Sequence, residues 1–190
     1  LVLNFSLNGK DKIKNKQQAN YVGDGKRKVL NFKQKDSYAK LPYEEIGYNY
    51  TVSFKINPSE NNAANAVLFQ SKHATVKLKQ GNTANLGFSH EGKDYDFGIS
   101  IPENKWTNIA ITGDNNSTNL YLNGELAKKL TREKIPTGHK NDSIWVMKTL
   151  FFPLATIGNG QNSFVGKMKD LKVFNQILSD MEIQALKEEE

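Results

Sequence analysis

The 190 residues contain no cysteine. That removes disulfides, thiolate catalysis and cysteine-based zinc sites together. Small secreted eukaryotic domains often lean on disulfides, whereas a bacterial surface module need not. Long apolar runs are missing as well. No stretch approaches the roughly 18 uninterrupted apolar residues of a membrane span, and the first residues carry no signal-peptide pattern. Histidine is scarce: His73, His90 and His139 are scattered along the chain, so no zinc site is expected. A phosphate loop is also absent, because Gly23-Asp24-Gly25-Lys26 lacks its spacing and its Ser or Thr.

What is present describes a packed globular domain. Hydrophobic residues make up 37% of the chain, charged residues 24% and aromatics 10%, which argues for one domain with a full core over residues 1–190. The start, Leu1-Val2-Leu3-Asn4, has no Met and already reads as strand, so a piece of a longer protein is expected. Heavy use of Asn and Lys suits a low-GC bacterium. The net charge is +6, a value compatible with nucleic-acid binding. Much of the excess, however, sits at Lys10, Lys12, Lys14, Lys16 and Lys26-Arg27-Lys28, in Asn- and Gln-rich sequence without a recognition helix or an aromatic RNA-binding motif. A solvated, lysine-rich connection is the reading that follows, with no nucleic-acid partner.

Several segments alternate with period two. In "YNYTVSFKIN", Tyr48, Tyr50, Val52, Phe54 and Ile56 share one face, and Asn49, Thr51, Ser53 and Lys55 the other. In "KDYDFGISI", Tyr95, Phe97, Ile99 and Ile101 oppose Asp94, Asp96 and Ser100; in "ANLGFSH", Leu86 and Phe88 oppose Asn85, Gly87 and Ser89. The stretch 104–124 reads as two strands joined by a polar loop, with Trp106 opening the first as a core residue. Further strands are expected over 1–7, 28–33, 37–42, 66–71, 74–79, 118–123, 126–130, 149–157 and 164–174, separated by glycine turns. About a dozen strands with short polar links require two packed antiparallel sheets. One helix is signalled at the end: Ser179 and Glu182 form a capping box, and Leu178 and Ile183 are spaced for a hydrophobic staple.

"NKWTNIAITGDNNSTNLYLNGELAKKL" resembles the central hairpin of laminin G-like, concanavalin A-like jelly-roll domains. "FVGKMKDLKVFNQILSDMEIQAL" is similar to their closing strand and helix, and "SYAKLP" and "YTVSFKINP" to their early strands. The resemblance implies an all-β jelly-roll sandwich with one short C-terminal helix. A narrower likeness lies in "DSYAKLPYEEIGYNYTVSFKI", "LGFSHEGKDYDFGISIPENKW" and "FFPLATIGNGQNSFVGKMKDLKVF". These resemble modules appended to Gram-positive glycoside hydrolases of the family 20 hexosaminidase type. Lys55 departs from the pattern, since many relatives carry Trp there on the second face of the strand.

Four pieces of chemistry call for weighing. Ser89, His90 and Glu91 are adjacent, but consecutive strand residues alternate faces and cannot converge as a triad. Asp94 and Asp96 share a face roughly 7 Å apart, near glycosidase spacings; without the Glu-x-Asp-x-x-Glu strand of glucanases they read as solvated or ligand-binding acids. Asp114, Asn115 and Asn116 are the candidates for the single calcium ion that many such relatives hold, an ion implied by the resemblance alone, since a polar Asp-Asn-Asn turn is sufficient explanation for them. Trp145 lies in "TGHKNDSIWVMKT", which reads as a loop inserted before a strand. It is either a sugar-stacking platform, with His139, Asn141 and Asp142 bonding hydroxyls, or an anchor of that loop to the core.

The resemblance thus implies a monomeric, non-catalytic carbohydrate-binding module of a secreted or cell-surface bacterial glycosidase. Its expected partners are a galactose- or N-acetylhexosamine-containing glycan and the catalytic domain of the same polypeptide. The expected ligand residues are Trp145, His139, Asn141 and Asp142, with the face bearing Asn85, Asp94 and Asp96 as second choice. Two other readings stand beside it: a structural domain packing on its catalytic partner without sugar affinity, and an independent glucanase.

Overall fold

The structure, a computed structural model, describes residues 2–11, 13, 16–25 and 27–188. Leu1, Lys12, Lys14, Asn15, Lys26, Glu189 and Glu190 lie outside the described residues, and with them the first residue of the expected terminal strand, part of the lysine-rich connection and the last glutamates.

Period-two sequence becomes strand along most of the chain. In order these are β1 (Leu3–Phe5), β2 (Lys16–Gln17), β3 (Ala19–Asp24), β4 (Arg27–Phe32), β5 (Tyr38–Lys40) and β6 (Glu45–Ile46). There follow β7 (Tyr50–Pro58), β8 (Val67–Gln70), β9 (Ala74–Lys77), β10 (Asn85–His90), β11 (Lys93–Ser100), β12 (Thr107–Gly113) and β13 (Thr118–Leu122). The last are β14 (Glu125–Leu130), β15 (Arg132–Pro136), β16 (Ser143–Met147), β17 (Phe152–Pro153), β18 (Thr156–Gly158) and β19 (Gly166–Phe174), before helix α1 (Asp180–Glu188).

Two antiparallel sheets form the sandwich. One runs β14-β13-β12-β7-β19-β4-β3 with β1 also on β19, and the other runs β11-β10-β9-β8-β18-β5-β2. Tyr50, Val52, Phe54 and Ile56 of β7 enter the core between them, together with Ile109, Ile111, Met168, Leu171 and Val173. Phe69, Val76, Phe88 and Phe97 face them from the second sheet. Rings link the layers: Phe54 lies 4.9 Å from Phe69, Phe69 5.2 Å from Phe152, and Phe152 5.9 Å from Tyr50, all edge to face. Such pairs add about 0.5–1.5 kcal/mol each beyond the area they bury.

The edge of β19 that faces away from β7 is shared by two partners. Gly166–Met168 pairs with β4 and Leu171–Val173 with β1. Between them Asp170 adopts φ 55°, and the register against β7 shifts between Lys169 and Lys172. This is a β-bulge, in which the additional residue bends the strand and re-aims its side chains.

The capped helix is as the sequence implies. Ser179 N donates to Glu182 Oε2 at 2.7 Å, and Glu182 N to Ser179 Oγ at 3.4 Å. The hydrogen bonds from Ser179 hold the Glu182 carboxyl below its ordinary value. Leu178 and Ile183 are buried with Leu186 against Ala110 and Tyr121, so the helix covers part of the outer face of the eight-stranded sheet.

Three expectations need correction. The lysine-rich segment after Lys10 is not simply a connection, because it supplies β2, β3 and the start of β4. These are peripheral strands with mostly half-buried or exposed side chains, so Asn, Gln and Asp are tolerated there and mask the period-two pattern. The segment 149–157 is not one strand: β17 pairs with β6 and β18 joins the second sheet. The stretch around Trp145 is not a loop, since β15 and β16 form a ribbon.

Gly113 sits opposite Tyr50 in the ladder between β12 and β7. A methyl group there would stand 2.5 Å from the Tyr50 ring and hydroxyl. Gly113→Ala is therefore expected to cost about 1–3 kcal/mol, the usual range for overpacking, seen as a lower urea midpoint at unchanged m-value.

Candidate functional site

The side chains that β7, β12 and β19 turn away from the core line a cleft beside the helix. In the ladder, Asn108 of β12 stands opposite Lys55 of β7, and Lys55 opposite Lys169 of β19. Period two makes this row a consequence of the inward set, because Phe54 and Ile56 in the core force Lys55 outward. Two lysines directly opposite repel one another. Acids answer both: Asp170 lies 3.5 Å from Lys55, and Asp24 lies 3.8 Å from Lys169 and 3.6 Å from Lys167. The cation crowding reaches the next outward residue of β19. Burial lowers the Lys172 ammonium; Asp170 pulls it up and Lys55 pushes it down.

Trp106 closes one wall. Its Nε1 donates to Asp24 Oδ2 at 3.1 Å, and the Lys169 ammonium stands 4.3 Å from the ring centroid. The expectation of a core tryptophan is thereby corrected. Trp106 is half-buried and in phase with Asn108 and Ala110, whereas Thr107, Ile109 and Ile111 take the inward positions. The cleft of about 630 Å³ also takes in Arg27, Asn123 and Lys187. At its floor Asn108 is only 6% exposed, yet its Oδ1 has no hydrogen-bond partner among the described residues. An unmet buried acceptor costs about 1–3 kcal/mol, a cost that a donor reaching this amide would remove.

Trp145 occupies a different place. It lies on β16 opposite Lys134, is 53% exposed, and has the Arg132 guanidinium 4.3 Å from its ring centroid. Arg132 is at the base of the ribbon, whereas His139, Asn141 and Asp142 form its tip. There Asp142 accepts from Thr137 Oγ1 at 3.1 Å, Asp142 N donates to the His139 carbonyl at 3.0 Å, and Asn141 takes φ 64°. These polar groups shape the turn, and Trp145 meets Arg132.

The second expected face is partly assembled. Asn85 Nδ2 donates to Asp96 Oδ2 at 3.2 Å. Asp94 accepts from Ser89 Oγ and lies 3.9 Å from Lys77. His90 points the other way: it is buried, with Nδ1 2.8 Å from the Thr149 carbonyl. Ser89 and His90 therefore do not converge. The calcium candidates fit poorly too. Asp114 Oδ1 already accepts from Asn116 N and Ser117 N, both at 2.7 Å, and the Asn115 side chain bonds that of Asn116. Lys129 and Arg132 line the same depression, a setting that disfavours a dication.

Residues 33–184 match the family model Laminin_G_3, described as the concanavalin A-like lectin/glucanases superfamily. The chain belongs to this family. No curated protein matches it in sequence. Among solved structures, domain 4 of AbnA, a GH43 extracellular arabinanase from Geobacillus stearothermophilus in complex with arabinotriose, superposes with a TM-score of 0.63. It is 20% identical, over 90% of this chain and 82% of that one. The ligand-binding domain of botulinum neurotoxin serotype D, in complex with N-acetylneuraminic acid, gives 0.63 at 18% identity. The match covers 98% of this chain but 50% of that one. The binding domain of Paraclostridial Mosquitocidal Protein 1 gives 0.59 at 17% identity, over 93% and 47%. Identities this low establish the shared concanavalin A-like jelly roll.

Sequence reading of this Laminin_G_3 chain missed Asp24, Arg27, Asn108, Lys169 and Asp170. The available signal was phase: Trp106 and Asn108 alternate with Ile109 and Ile111. A half-buried tryptophan is expected to cost less on truncation than the roughly 3–5 kcal/mol of a fully buried one. Trp106→Ala should lower stability by about 1–2 kcal/mol, measured by urea unfolding.

Proposed function

We propose that this chain is a non-catalytic carbohydrate-binding module of a secreted or surface-attached bacterial glycosidase, and that the Trp106 cleft is its glycan site. The observation that carries this reading is the pairing of a half-buried indole with the unmet buried oxygen of Asn108. A sugar ring offers an apolar face to an aromatic and hydroxyls to amides and carboxylates. Asn108, Asp24 and Asp170 supply acceptors within one cleft, and Arg27 and Asn123 supply donors. Membership of a lectin/glucanase superfamily and a fold shared with an arabinanase domain bound to arabinotriose support the same reading.

Catalysis fits the geometry less well. Asp94 and Asp96 are taken up by Ser89, Lys77 and Asn85, and His90 is buried against the Thr149 carbonyl. A single open cleft of this kind binds weakly. Its value to an attached catalytic domain is a raised effective concentration of substrate. Amino-sugar- and galactose-containing glycans are the first ligands to try, with any calcium ion judged separately.

The ribbon of β15 and β16 supports a second reading. Ile135 and Ile144 are exposed on one face of it and Trp145 and Met147 on the other, apolar side chains that suit packing on the catalytic domain of the same polypeptide, or a glycan platform at Trp145 with His139, Asn141 and Asp142. The two tryptophans separate these readings. On a glycan array followed by calorimetry, Trp106→Ala is expected to weaken binding about tenfold, equivalent to 1.4 kcal/mol, while Trp145→Ala leaves it unchanged. Loss of binding only in Trp145→Ala would move the site to the ribbon, and an array without hits would favour the packing role.

A further inference from the structure

The Trp106 cleft does not end at Asp170. A second depression, of about 730 Å³, shares Arg27, Lys169 and Asp170 with it and continues past Lys28 of β4 and Tyr21 of β3 to Lys10 in the segment after β1. The shared wall is the bulge of β19, where Asp170 at φ 55° separates the β4-paired residues from the β1-paired ones. Together the two depressions make one trough across the outer face of the sheet. We propose that this trough takes an acidic glycan: an oligosaccharide carrying carboxylate or sulfate groups, and not a neutral one. The inference rests on the sugar-binding reading above and names its ligand class.

Charge carries the argument. Among the described residues, Lys10, Arg27, Lys28, Lys55, Lys169 and Lys187 line the trough against Asp24 and Asp170. The acids are already answered, Asp24 by Lys167 and Lys169, and Asp170 by Lys55. Lys10, Arg27 and Lys28 form no ion pair with a described residue, and all three are exposed. Three cations gathered at one end of a concave surface raise the local concentration of an anionic ligand, and Arg27 offers the planar fork that matches a carboxylate or sulfate. The floor adds the hydroxyl acceptor: Asn108, nine-tenths buried, presents its unpartnered Oδ1 beside Trp106.

The mixture of groups selects the polymer. A nucleic-acid strand presents a phosphate on every nucleotide and asks for a continuous basic track with successive stacking aromatics. Here two carboxylates, Asp24 and Asp170, interrupt the track. An acidic glycan carries its charges sparsely among hydroxyls. Its hydroxyls match Asn108, Asp24 and Asp170, and its acid groups match Arg27, Lys28 and Lys10.

The test is calorimetry on the 190-residue chain with four probes: N-acetylchitotetraose as the neutral sugar, unsulfated chondroitin tetrasaccharide for carboxylate alone, its sulfated counterpart, and a thymidine decamer. The expected result is at least tenfold tighter binding of one or both acidic tetrasaccharides than of the neutral one. Their affinity should fall steeply as salt rises, since surface charges are screened within about 10 Å at 0.1 M. The two acidic arms distinguish carboxylate from sulfate. Lys10→Gln combined with Lys28→Gln should lower the acidic affinity about tenfold, with the melting temperature unchanged. Equal or tighter binding of the neutral sugar overturns the acidic preference and leaves the sugar-binding reading standing. Binding of the decamer alone, or of none of the four, overturns both.

Discussion

Strand β7 is committed on every side. Its backbone pairs with β12 along one edge and β19 along the other. Its inward residues Tyr50, Val52, Phe54 and Ile56 are fully buried, and two of its outward residues tie it to other elements. Thr51 Oγ1 donates to the Gln176 carbonyl and accepts from Leu178 N, both at 2.9 Å, which fixes the approach to the helix. Lys55 stands in the cleft against Asp170. A slip of one residue would put Lys55 and Thr51 into the core and four large apolar side chains into water. Register in this strand therefore sets the core, the helix and the site together.

The same sheet face divides by chemistry. Where Ala110 and Tyr121 point outward, Ile183, Leu186 and Leu178 cover them and seal the patch. Tyr121 keeps a polar tie at the rim, donating from its hydroxyl to Asp180 at 2.9 Å. Burial, aided by that bond, pushes the phenol up to about 12. Where Lys55, Lys169 and Asn108 point outward, no apolar element can cover them without leaving charges dry. The face there stays open, and the bulge at Asp170 tilts it into a trough. Structure and site thus follow from one alternation, read in two chemical compositions.

Much of this was legible in the sequence. β7, the hairpin of β12 and β13, the β10–β11 pair and the helix cap carry alternation or capping residues strong enough to stand alone. β3 was obscured because an edge strand tolerates Asn, Gln and Asp. β15 and β16 were obscured because nearly every side chain on the ribbon is exposed, which erases the polar–apolar contrast on which alternation depends. The trough was harder still. Its residues come from the β3–β4 turn, β7, β12, β19 and the helix end, and no local pattern joins Asp24 to Asp170. Trp106 was misplaced for a simpler reason: size suggested burial, while phase with Asn108 pointed outward.

Phase also explains why the exposed Trp145 attracts attention first and the Trp106 cleft second. An isolated indole over arginine, on a ribbon exposed on both faces, has few groups rigidly placed around it. Four residues of the Trp106 cleft are instead fixed by something other than a ligand: Asp24 by three donors, Lys55 and Lys169 by register, and Asn108 by its backbone bonds with Asn123. Groups already immobilised by the fold lose little freedom when a sugar arrives, and ordering cost is what most often defeats weak polar binding. The orphaned Oδ1 of Asn108 adds a cost to the unliganded state that a hydroxyl would remove. Preorganisation and that unmet acceptor, more than exposure, mark where binding energy can be gained.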